Sequence, residues 1–572
     1  MMQPKPLLCD TLAEHLTLSS NSLYEHLNFF KMKKISTYIF IAFALFSVAC
    51  NNYLDVNKNP NQATSVTPNL VLPQAIVATG SLLNRYNTYG SQIGGYAANA
   101  GGFGGFNETV SYKYTSSNYN DLWPNTYDNL QDYQYVITST SGSFANLYYN
   151  AASTIMRVYN FQLLVDTFND VPYTGALQGS KVLTPSYDKG SDIYAGLAVE
   201  LDSAMARINR GLAAATHPTP LSTSDPMFAG DMTKWLQLAN TIKLRLMIRG
   251  HGKVTFANSN FDAAAGFLTS DAIINPKYTR DNNRQNPAWN TWAFSSSGAA
   301  GNKAWMPTTW MMSFYNGTKL MDTLRGKAIY FNFRRVQYPN TPSKKKVVYG
   351  DSISNQLGHE GNDVPAGTNG SFWYSGSDRG GTTAGGSMGI LKGPDAGVPM
   401  FTAAESYLLQ AEASVISLTI SGITLDPAAT SFNNGINASF KYLYSLPNGS
   451  QAAKLSYVTD AALYISENAG NYLVDFTAAG TTDKQIEAII TQKYIALNFV
   501  NSHEGWNEYR RTGYPRVSGT GATTTFASSV SQSTRPDRLP SRILYPTTEA
   551  AYNPANVPTD ISSFTSLIFW AK

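Results

Sequence analysis

The sequence predicts a mainly α-helical protein with a long irregular, loop-rich portion and few short strands. Apolar residues recur at helical spacing in the first part of the chain and again near its end. Between about residues 275 and 399 this periodicity is lost, and Gly, Ser, Asn and aromatic residues dominate. Loops of that length are usually functional or mobile. We expect helical scaffold at about 67–255 and 400–515, a ligand-facing loop region at 275–399, and an irregular C-terminal segment at 516–572.

The helices of the first part carry clear start, stripe and stop signals. Thr67 followed by Pro68 is typical of a helix start, because threonine caps the first turn and proline fits its first position. Gly250 is placed to end a later helix. Three segments carry an apolar stripe on one helical face: Ile155, Tyr159, Leu163 and Leu164; Ile193, Leu197, Leu201 and Met205; and Trp235, Leu238, Ile242 and Leu246.

A hydrophobic stretch near the N-terminus, "MKKISTYIFIAFALFSVACNN", begins at Met32. Its apolar part follows two lysines and ends on Cys50, one of two cysteines in the chain. At Ile35–Ala49 it is shorter than the ~20 apolar residues that a membrane-spanning helix needs. Length, charge and terminal cysteine are typical of a bacterial lipoprotein signal peptide. The alternative is a buried hydrophobic helix that ends an N-terminal extension.

We therefore predict three parts in the chain. Residues 1–31 are expected to be an upstream extension that comes from a start codon assigned too early. Residues 32–49 are the expected signal peptide, and residues 50–572 form a single mature domain with lipid on Cys50. Because Cys9 would precede the true start, the folded domain would hold neither a disulfide nor a thiolate metal site.

The composition argues against some classes of partner. Charged residues make up 14% of the chain, against ~25% in typical soluble domains. Aromatic residues reach 12%, and the net charge is only +4. Such a surface suits an extracellular protein that meets neutral polar ligands, and it gives no indication of nucleic acid binding. The short basic run "SKKKVV" near Lys344 is interpreted as a solvated loop.

Two pairs of arginines are expected to be structural. Arg245 and Arg249 lie one helical turn apart, so their guanidinium groups share a face. Arg510 and Arg511 are adjacent. Planar guanidinium groups suit buried carboxylates, and we predict ion pairs that stabilise the core. The possible partners are Asp166, Asp170, Glu412, Glu504 and Glu508. Trp235 and Trp506 also lie in helical patterns and are expected in the core.

Six segments, in order along the chain, resemble the SusD/RagB family of Bacteroidetes outer-membrane lipoproteins. They are "NNYLDVNKNPN" after the cysteine, "LVDTFNDVPYTGAL", "TPSYDKGSDIY", "GDMTKWLQLANTIKLRLMIR", "FTAAESYLLQAEA", and "QKYIALNFVNSHEGWNEYRRTGYPRV" followed by "LPSRILYPTTEAAYNPANV". In the second segment Asn169 stands where the family usually has glycine. Asparagine is the next best residue for a left-handed backbone.

The resemblance implies a fold, a function and partners. The fold would be SusD-like, a TPR-like scaffold of helical pairs with the irregular portion packed on it. The function would be capture of an oligosaccharide, or sometimes an oligopeptide, without catalysis. A SusC-like TonB-dependent transporter would receive the nutrient, with this protein as its hinged lid. The protein would be lipid-anchored in the outer membrane and face the cell exterior.

Exposed aromatic rings are what such a ligand would need, because sugar C–H faces pack on them. Three clusters of candidates occur in irregular sequence: Trp289, Trp292, Trp305 and Trp310; Trp373 and Tyr374; and Tyr112, Tyr114 and Tyr119. The alternative is that these rings pack the irregular part against the helices, since aromatic residues are mostly core material. We expect at least one cluster to line the binding pocket.

Two other classes of protein are weighed against this one. The run "GGSMG" matches the nucleophile elbow of a surface hydrolase, with Ser387 as nucleophile and His503 as the one histidine that follows it. The motif needs a strand before it and a helix after it. A structural or adhesive surface lipoprotein is the other alternative. No cofactor is predicted, and a structural Ca²⁺ in the Asp/Asn-rich loops has no EF-hand-like spacing in its favour.

Overall fold

Helices dominate the part of the chain that the computed structural model describes. That part comprises residues 67–331, 333, 335–337, 347–349, 353–361, 372–375, 387–453 and 455–572. The predicted signal peptide, the upstream extension and the lipidated Cys50 lie outside the described residues. Thr67–Lys572 forms one compact unit. No helix within the described ranges has the length and apolar character to cross a membrane.

Fifteen α-helices are present in the described residues. In chain order they are α1 Pro68–Ile93, α2 Asn107–Ser111, α3 Leu122–Ser139, α4 Leu147–Phe168, α5 Gly190–Leu212, α6 Met232–Arg249, α7 Pro287–Trp292, α8 Thr309–Met312, α9 Thr323–Ile329, α10 Ala403–Val415, α11 Ala428–Tyr444, α12 Tyr457–Glu467, α13 Thr482–Ala496, α14 Ser502–Thr512 and α15 Thr547–Tyr552. The long helices precede residue 250 or follow residue 402, and α7, α8 and α9 between them are short.

Six short strands in the described part of the chain form three two-stranded antiparallel sheets. The strands are β1 Ala97–Asn99, β2 Ala272–Ile274, β3 Trp305–Pro307, β4 Arg335–Gln337, β5 Val347–Tyr349 and β6 Val398–Phe401. The pairs are β1 with β3, β2 with β6 and β4 with β5, and Ala98 lies opposite Met306 in the first of them. The prediction of a mainly α protein with few short strands is confirmed.

Helices that follow one another in the chain pack together and build the core. Contacts join α3 to α4, α4 to α5 and α5 to α6, and a second series joins α10, α11 and α12. The apolar stripe of α6 is buried, with Trp235, Leu238 and Ile242 fully inaccessible. Thr67 and Gly250 occupy the cap positions that the sequence predicts. Asn169 adopts a φ of +70° where the chain leaves α4, as expected for the turn.

Helices α1 and α14 approach each other closely at Gly90. A β-carbon at this position would lie 2.1 Å from the backbone nitrogen of His503. The side chain of Asn87 ties the same contact, since it donates to the Phe499 carbonyl at 3.0 Å and accepts from the Ser502 N–H at 2.9 Å. Glycine is therefore required at position 90 for this helix pair to meet.

A buried ion network joins the two series of helices. We use this name for Asp166, Arg245, Arg249, Glu405, Glu412, Lys493, Glu504, Glu508 and Arg511. Arg249 contacts Asp166 at 2.5 Å, Glu504 at 2.6 Å and Glu508 at 2.9 Å. Burial alone would raise the pKa of Glu504, but the charges of Arg245 and Arg249 hold it well below its usual range. Three of the four arginines therefore make the predicted core ion pairs. They are Arg245, Arg249 and Arg511.

Two of the residues expected in these ion pairs have other partners. Asp170 accepts from the Lys189 ammonium and from the Gly190 N–H, both at 2.9 Å, and so stabilises the start of α5. Arg510 donates to the carbonyl oxygens of Asp166 and Ser541 rather than to a carboxylate. Its guanidinium satisfies backbone acceptors, which needs no opposite charge.

Candidate functional site

The first predicted aromatic cluster lies in the interior. Trp289, Trp292 and Trp310 are each at most 1% exposed. The Trp310 indole N–H donates to the Tyr494 hydroxyl at 3.2 Å, and the Lys319 ammonium lies 2.9 Å from the centre of its ring. Trp305 sits in β3 at 8% exposure. These rings pack the irregular part of the chain against the helices, which was the alternative to ligand binding.

The second cluster joins the first around one phenylalanine. Trp373 stacks on Phe499 with ring centres 4.0 Å apart, and Trp292 meets the same ring edge-on at 4.7 Å. Tyr374, next in the chain, is half-buried. The structure therefore brings Trp292 and Trp373 together, although they are distant in the sequence.

The third cluster is also largely buried. The Tyr112 hydroxyl accepts from the Ser528 N–H at 3.1 Å, and the Tyr119 hydroxyl donates to Gln92 at 2.9 Å. Tyr114 meets Tyr119 edge-on with ring centres 5.7 Å apart. Rings enclosed in this way offer little free face to a sugar. Ligand binding by these tyrosines is not tested by the structure and stays a prediction.

The surroundings of Ser387 differ from those of a nucleophile elbow. Its hydroxyl donates to the Met388 carbonyl at 3.2 Å. The described chain between Ser387 and Gly397 contains no helix, whereas the elbow places its serine at a helix start. His503 is buried at the start of α14, and burial lowers its pKa to about 4. Within the described ranges no group of three or more His, Cys, Asp or Glu side chains could hold a metal ion.

An open cavity of about 500 Å³ lies elsewhere, between α3, the segment after α4, and α15. We call it the aromatic groove. Its lining residues are Trp123, Pro124, Tyr127, Asp128, Gln131, Pro172, Ala176, Leu177, Gln178, Gly179, Val182, Leu183, Pro185, Thr548, Glu549, Tyr552 and Asn553. Its volume lies within the range of ~300–1,000 Å³ that is usual for ligand pockets.

The base of the groove is closed by the buried ring of Trp123 on α3, of which only 4% is exposed. The Trp123 indole N–H donates to Glu549 Oε1 at 3.0 Å, and its ring stacks on Tyr187 at 6.0 Å. Tyr187 donates its hydroxyl to Glu549 Oε2 at 2.5 Å. Burial and this hydrogen bond raise the pKa of Tyr187, so the hydroxyl keeps its proton. Tyr127 is held by donation to the Pro172 carbonyl at 2.7 Å.

One wall of the groove is a turn that a carboxylate holds in place. Asp188 accepts the N–H groups of Tyr173 and Thr174, both at 2.9 Å. The chain then loops through residues 176–185, where Leu183 is 79% exposed beside the cavity. An exposed leucine on a fixed loop provides apolar surface at the rim.

The opposite wall is α15 and the residue after it. Asn553 donates to the Pro185 carbonyl at 2.8 Å and so links the two walls. Tyr552 ends the helix and is 77% exposed, the highest exposure of the groove's aromatic rings. A ring that is anchored in a helix but open to solvent can stack on a flat ligand with little loss of side-chain entropy.

The lining of the groove combines apolar faces with hydrogen-bonding groups and carries only negative charge. Its two ionisable carboxylates are Asp128 and Glu549, and neither lysine nor arginine lines it. Aromatic faces and polar rims are suited to neutral hydroxylated ligands. A negatively charged ligand would meet like charge at this site.

Sequence reasoning did not select the groove residues, although a signal was present. Three of the segments that carry the family resemblance, "FNDVPYTGAL", "TPSYDKG" and "TTEAAYNPANV", converge on this cavity. They are far apart in the chain, and only the fold brings them together. Tyr552 and Glu549 belong to the third segment, where the sequence pattern carried no aromatic cluster to attract attention.

The comparisons with known proteins agree with this fold. A family of SusD-like proteins, described as "Starch-binding associating with outer membrane", matches residues 60–546. No curated protein matches the chain significantly. Among solved structures, a chitin-binding protein is 22% identical, with a TM-score of 0.61 over 88% of this chain and 100% of its own.

Two further structures share the fold at similar distance. A SusD homologue from Bacteroides fragilis is 20% identical with a TM-score of 0.59, covering 89% of this chain and 100% of its own. A chitin-binding SusD homologue from Flavobacterium johnsoniae is 20% identical with a TM-score of 0.57, covering 87% and 98% respectively. At these identities the likeness establishes the fold.

Proposed function

The chain belongs to the SusD-like family, and on that premise we propose that it captures a neutral oligosaccharide at the cell surface. It then delivers the saccharide to a SusC-like TonB-dependent transporter, over which it acts as a lid. A lipid on Cys50 holds it to the outer membrane. The family's starch-binding description and the two chitin-binding structures support a carbohydrate ligand.

The observation that carries this proposal is the aromatic groove. Tyr552 supplies an exposed ring and Leu183 an exposed apolar side chain for the C–H faces of sugar units, and the exposed Gln131 and Thr548 supply hydrogen bonds to hydroxyls. An oligopeptide is the second ligand class, and the same titrations test it.

The binding test uses exposed rim residues, because their removal leaves the core intact. Tyr552→Ala and Leu183→Ala remove the two most exposed apolar side chains of the groove. We expect each to weaken binding of malto- or chito-oligosaccharides about tenfold in calorimetric titrations, the loss of roughly 1.4 kcal/mol of contact. Leu70→Ala is the matched control, since Leu70 is 63% exposed and lies outside the groove.

The titrations distinguish failure of the proposed function from failure of the proposed binding site. If no neutral oligosaccharide or peptide binds the parent protein, the capture proposal is wrong. If the parent binds and both groove variants bind equally well, the saccharide sits elsewhere.

The predicted aromatic clusters supply the second candidate surface. Phe106, which follows β1 in the chain, meets Trp305 edge-on with ring centres 5.2 Å apart. Tyr374 is half-buried, so part of its ring is accessible to a ligand. Tyr374→Ala and Trp305→Ala belong in the same titrations, with circular dichroism to verify that each variant is folded, and a loss of affinity confined to them would assign the ligand to the predicted clusters.

A further inference from the structure

A second pocket lies between the start of β2, the loop before β6 and the end of α11. Its volume is about 350 Å³. The residues that matter for its chemistry are Asp271, Asn275, Lys392, Lys441 and Gln451. A neighbouring depression of about 220 Å³ shares Asp271 and Lys441 with it. We call the larger of these two cavities the lysine pocket. None of its lining residues lines the aromatic groove.

Lys392 places a buried amine at the pocket. Only 7% of the residue is exposed. Its ammonium donates to the carbonyl oxygens of Tyr442 and Ser445, both at 2.7 Å. An ammonium carries three N–H donors, so two are used by these carbonyls. Burial lowers the pKa of Lys392 to about 7, against the influence of Asp271. An anion beside it would favour the charged form.

Lys441 places a second cation at the same pocket. It lies in the last turn of α11, where it is exposed to solvent. Burial raises the pKa of Asp271, and the charges of Lys392 and Lys441 act against that rise. Asp271 Oδ1 accepts the N–H of Ala403 at 2.8 Å, at the start of α10. Below about pH 7, where Lys392 is charged, the lining thus holds two cations and one carboxylate.

Gln451 contributes an acceptor that the protein leaves unused. Its Oε1 atom is buried and has no hydrogen-bond partner among the described residues. A buried polar atom without a partner costs about 1–3 kcal/mol, and such atoms in native proteins call for an explanation. A ligand hydroxyl in the pocket would provide the missing donor.

We propose that the lysine pocket binds a sugar acid of the hexuronate type. The carboxylate lies between Lys392 and Lys441, and ring hydroxyls donate to Gln451 Oε1 and Asp271. This is a site of opposite charge preference to the aromatic groove, and it stands independently of the proposed capture of neutral oligosaccharides.

The test titrates galacturonate and glucuronate, with glucose as the neutral counterpart, into the mature protein by calorimetry or by ligand-observed NMR. We expect saturable uronate binding that Lys441→Gln and Gln451→Ala each weaken about tenfold, the loss of one contact of roughly 1.4 kcal/mol. Lys253→Gln is the matched control, because Lys253 is exposed and lies outside both cavities. Circular dichroism verifies that each variant is folded.

Four results would overturn the proposal, and the first three concern the uronate titrations of the parent and the pocket variants. They are absence of uronate binding, equal binding of glucose, or uronate binding that neither pocket variant weakens. Tyr552→Ala must leave uronate binding unchanged, and if it abolishes binding, the uronate occupies the groove and the lysine pocket is not the site. Failure of neutral oligosaccharides to bind would count against the groove alone.

Discussion

Arg249 is the shared cation of three buried carboxylates. Its guanidinium contacts three carboxylates that come from two helices, and no more than 2% of any of these four side chains is exposed. Removing one member of such a group leaves buried charge uncompensated, which costs far more than the intact arrangement contributes.

We predict that Arg249→Met lowers the free energy of unfolding by about 3–5 kcal/mol, because Asp166, Glu504 and Glu508 lose a shared cation. Chemical denaturation measures it. Arg85→Met is the control, since Arg85 pairs with Asp121 in solvent, and we expect a change of at most about 1 kcal/mol. Equal effects of the two substitutions would contradict this role of the network.

Lys392 gives a pH dependence with a defined sign. Its pKa is about 7 in the folded protein, against 10.5 ordinarily, because burial disfavours the charge. Between these values the unfolded chain binds one more proton than the folded one, so the free energy of unfolding rises with pH by about 1.4 kcal/mol per unit. Below about pH 7 the lysine is protonated in both the folded and the unfolded state, so this pH dependence of the free energy of unfolding ends there.

The comparison of Lys392→Met with the parent isolates this contribution. We expect the variant to lack that rise when urea denaturation is measured at two pH values one unit apart inside the window. Lys253→Met should keep the slope of the parent. Identical slopes for parent and Lys392→Met would mean that the buried lysine stays charged.

Residue types alone did not reveal which aromatic rings face solvent. Trp292 and Trp310 lie in sequence without a helical period, yet both are buried. Without a helical or strand period, a sequence gives no indication of which face of a segment turns inward. The exposed ring of the groove, Tyr552, stands in a short helix that the sequence pattern did not indicate.

At the scale of elements, the crossing of α1 and α14 depends on one missing side chain. Gly90→Ala would place a methyl group 2.1 Å from backbone atoms of His503. Because backbone cannot rotate away as a side chain can, the helices must separate, and we expect a loss of stability of about 1–3 kcal/mol. Thermal unfolding measures it.

Gly104→Ala is the matched control, because a β-carbon at Gly104 meets nothing within 4 Å. We expect its unfolding temperature to stay close to that of the parent. A Gly90→Ala protein as stable as this control would show that α1 and α14 can shift apart freely.

Long helices were predictable because each carries its own period and caps. The stripe of α6 and the cap positions Thr67 and Gly250 follow from local sequence. The aromatic groove does not, because its walls come from residues 123–131, 172–185 and 548–553. Only the packing of α3, the turn after α4 and α15 brings them together, and no local pattern encodes that meeting.

At the scale of the whole molecule, the proposed route of the ligand requires attachment to the membrane. Multiple acyl chains would give stable binding, since each buried methylene contributes ~0.8 kcal/mol. We predict that Cys50→Ala abolishes incorporation of labelled palmitate and moves the protein from the membrane fraction to the soluble fraction. Labelling that persists in Cys50→Ala would contradict the assignment of the anchor.

Delivery to a transporter is a second property that we propose for the whole molecule. A SusC-like barrel encoded beside this chain would be the partner to co-purify with it. A lid of this kind requires that the groove is open to solvent before the saccharide binds and that it faces the barrel afterwards.

The location of the bound saccharide tests the central claim most directly. A crystal structure of the protein with the neutral oligosaccharide that binds it best would settle where the sugar rings lie. The account predicts density in the aromatic groove, with a sugar ring against Tyr552 and hydroxyls near Glu549. Density confined to another surface, such as that around Tyr374, with the groove empty, would contradict it.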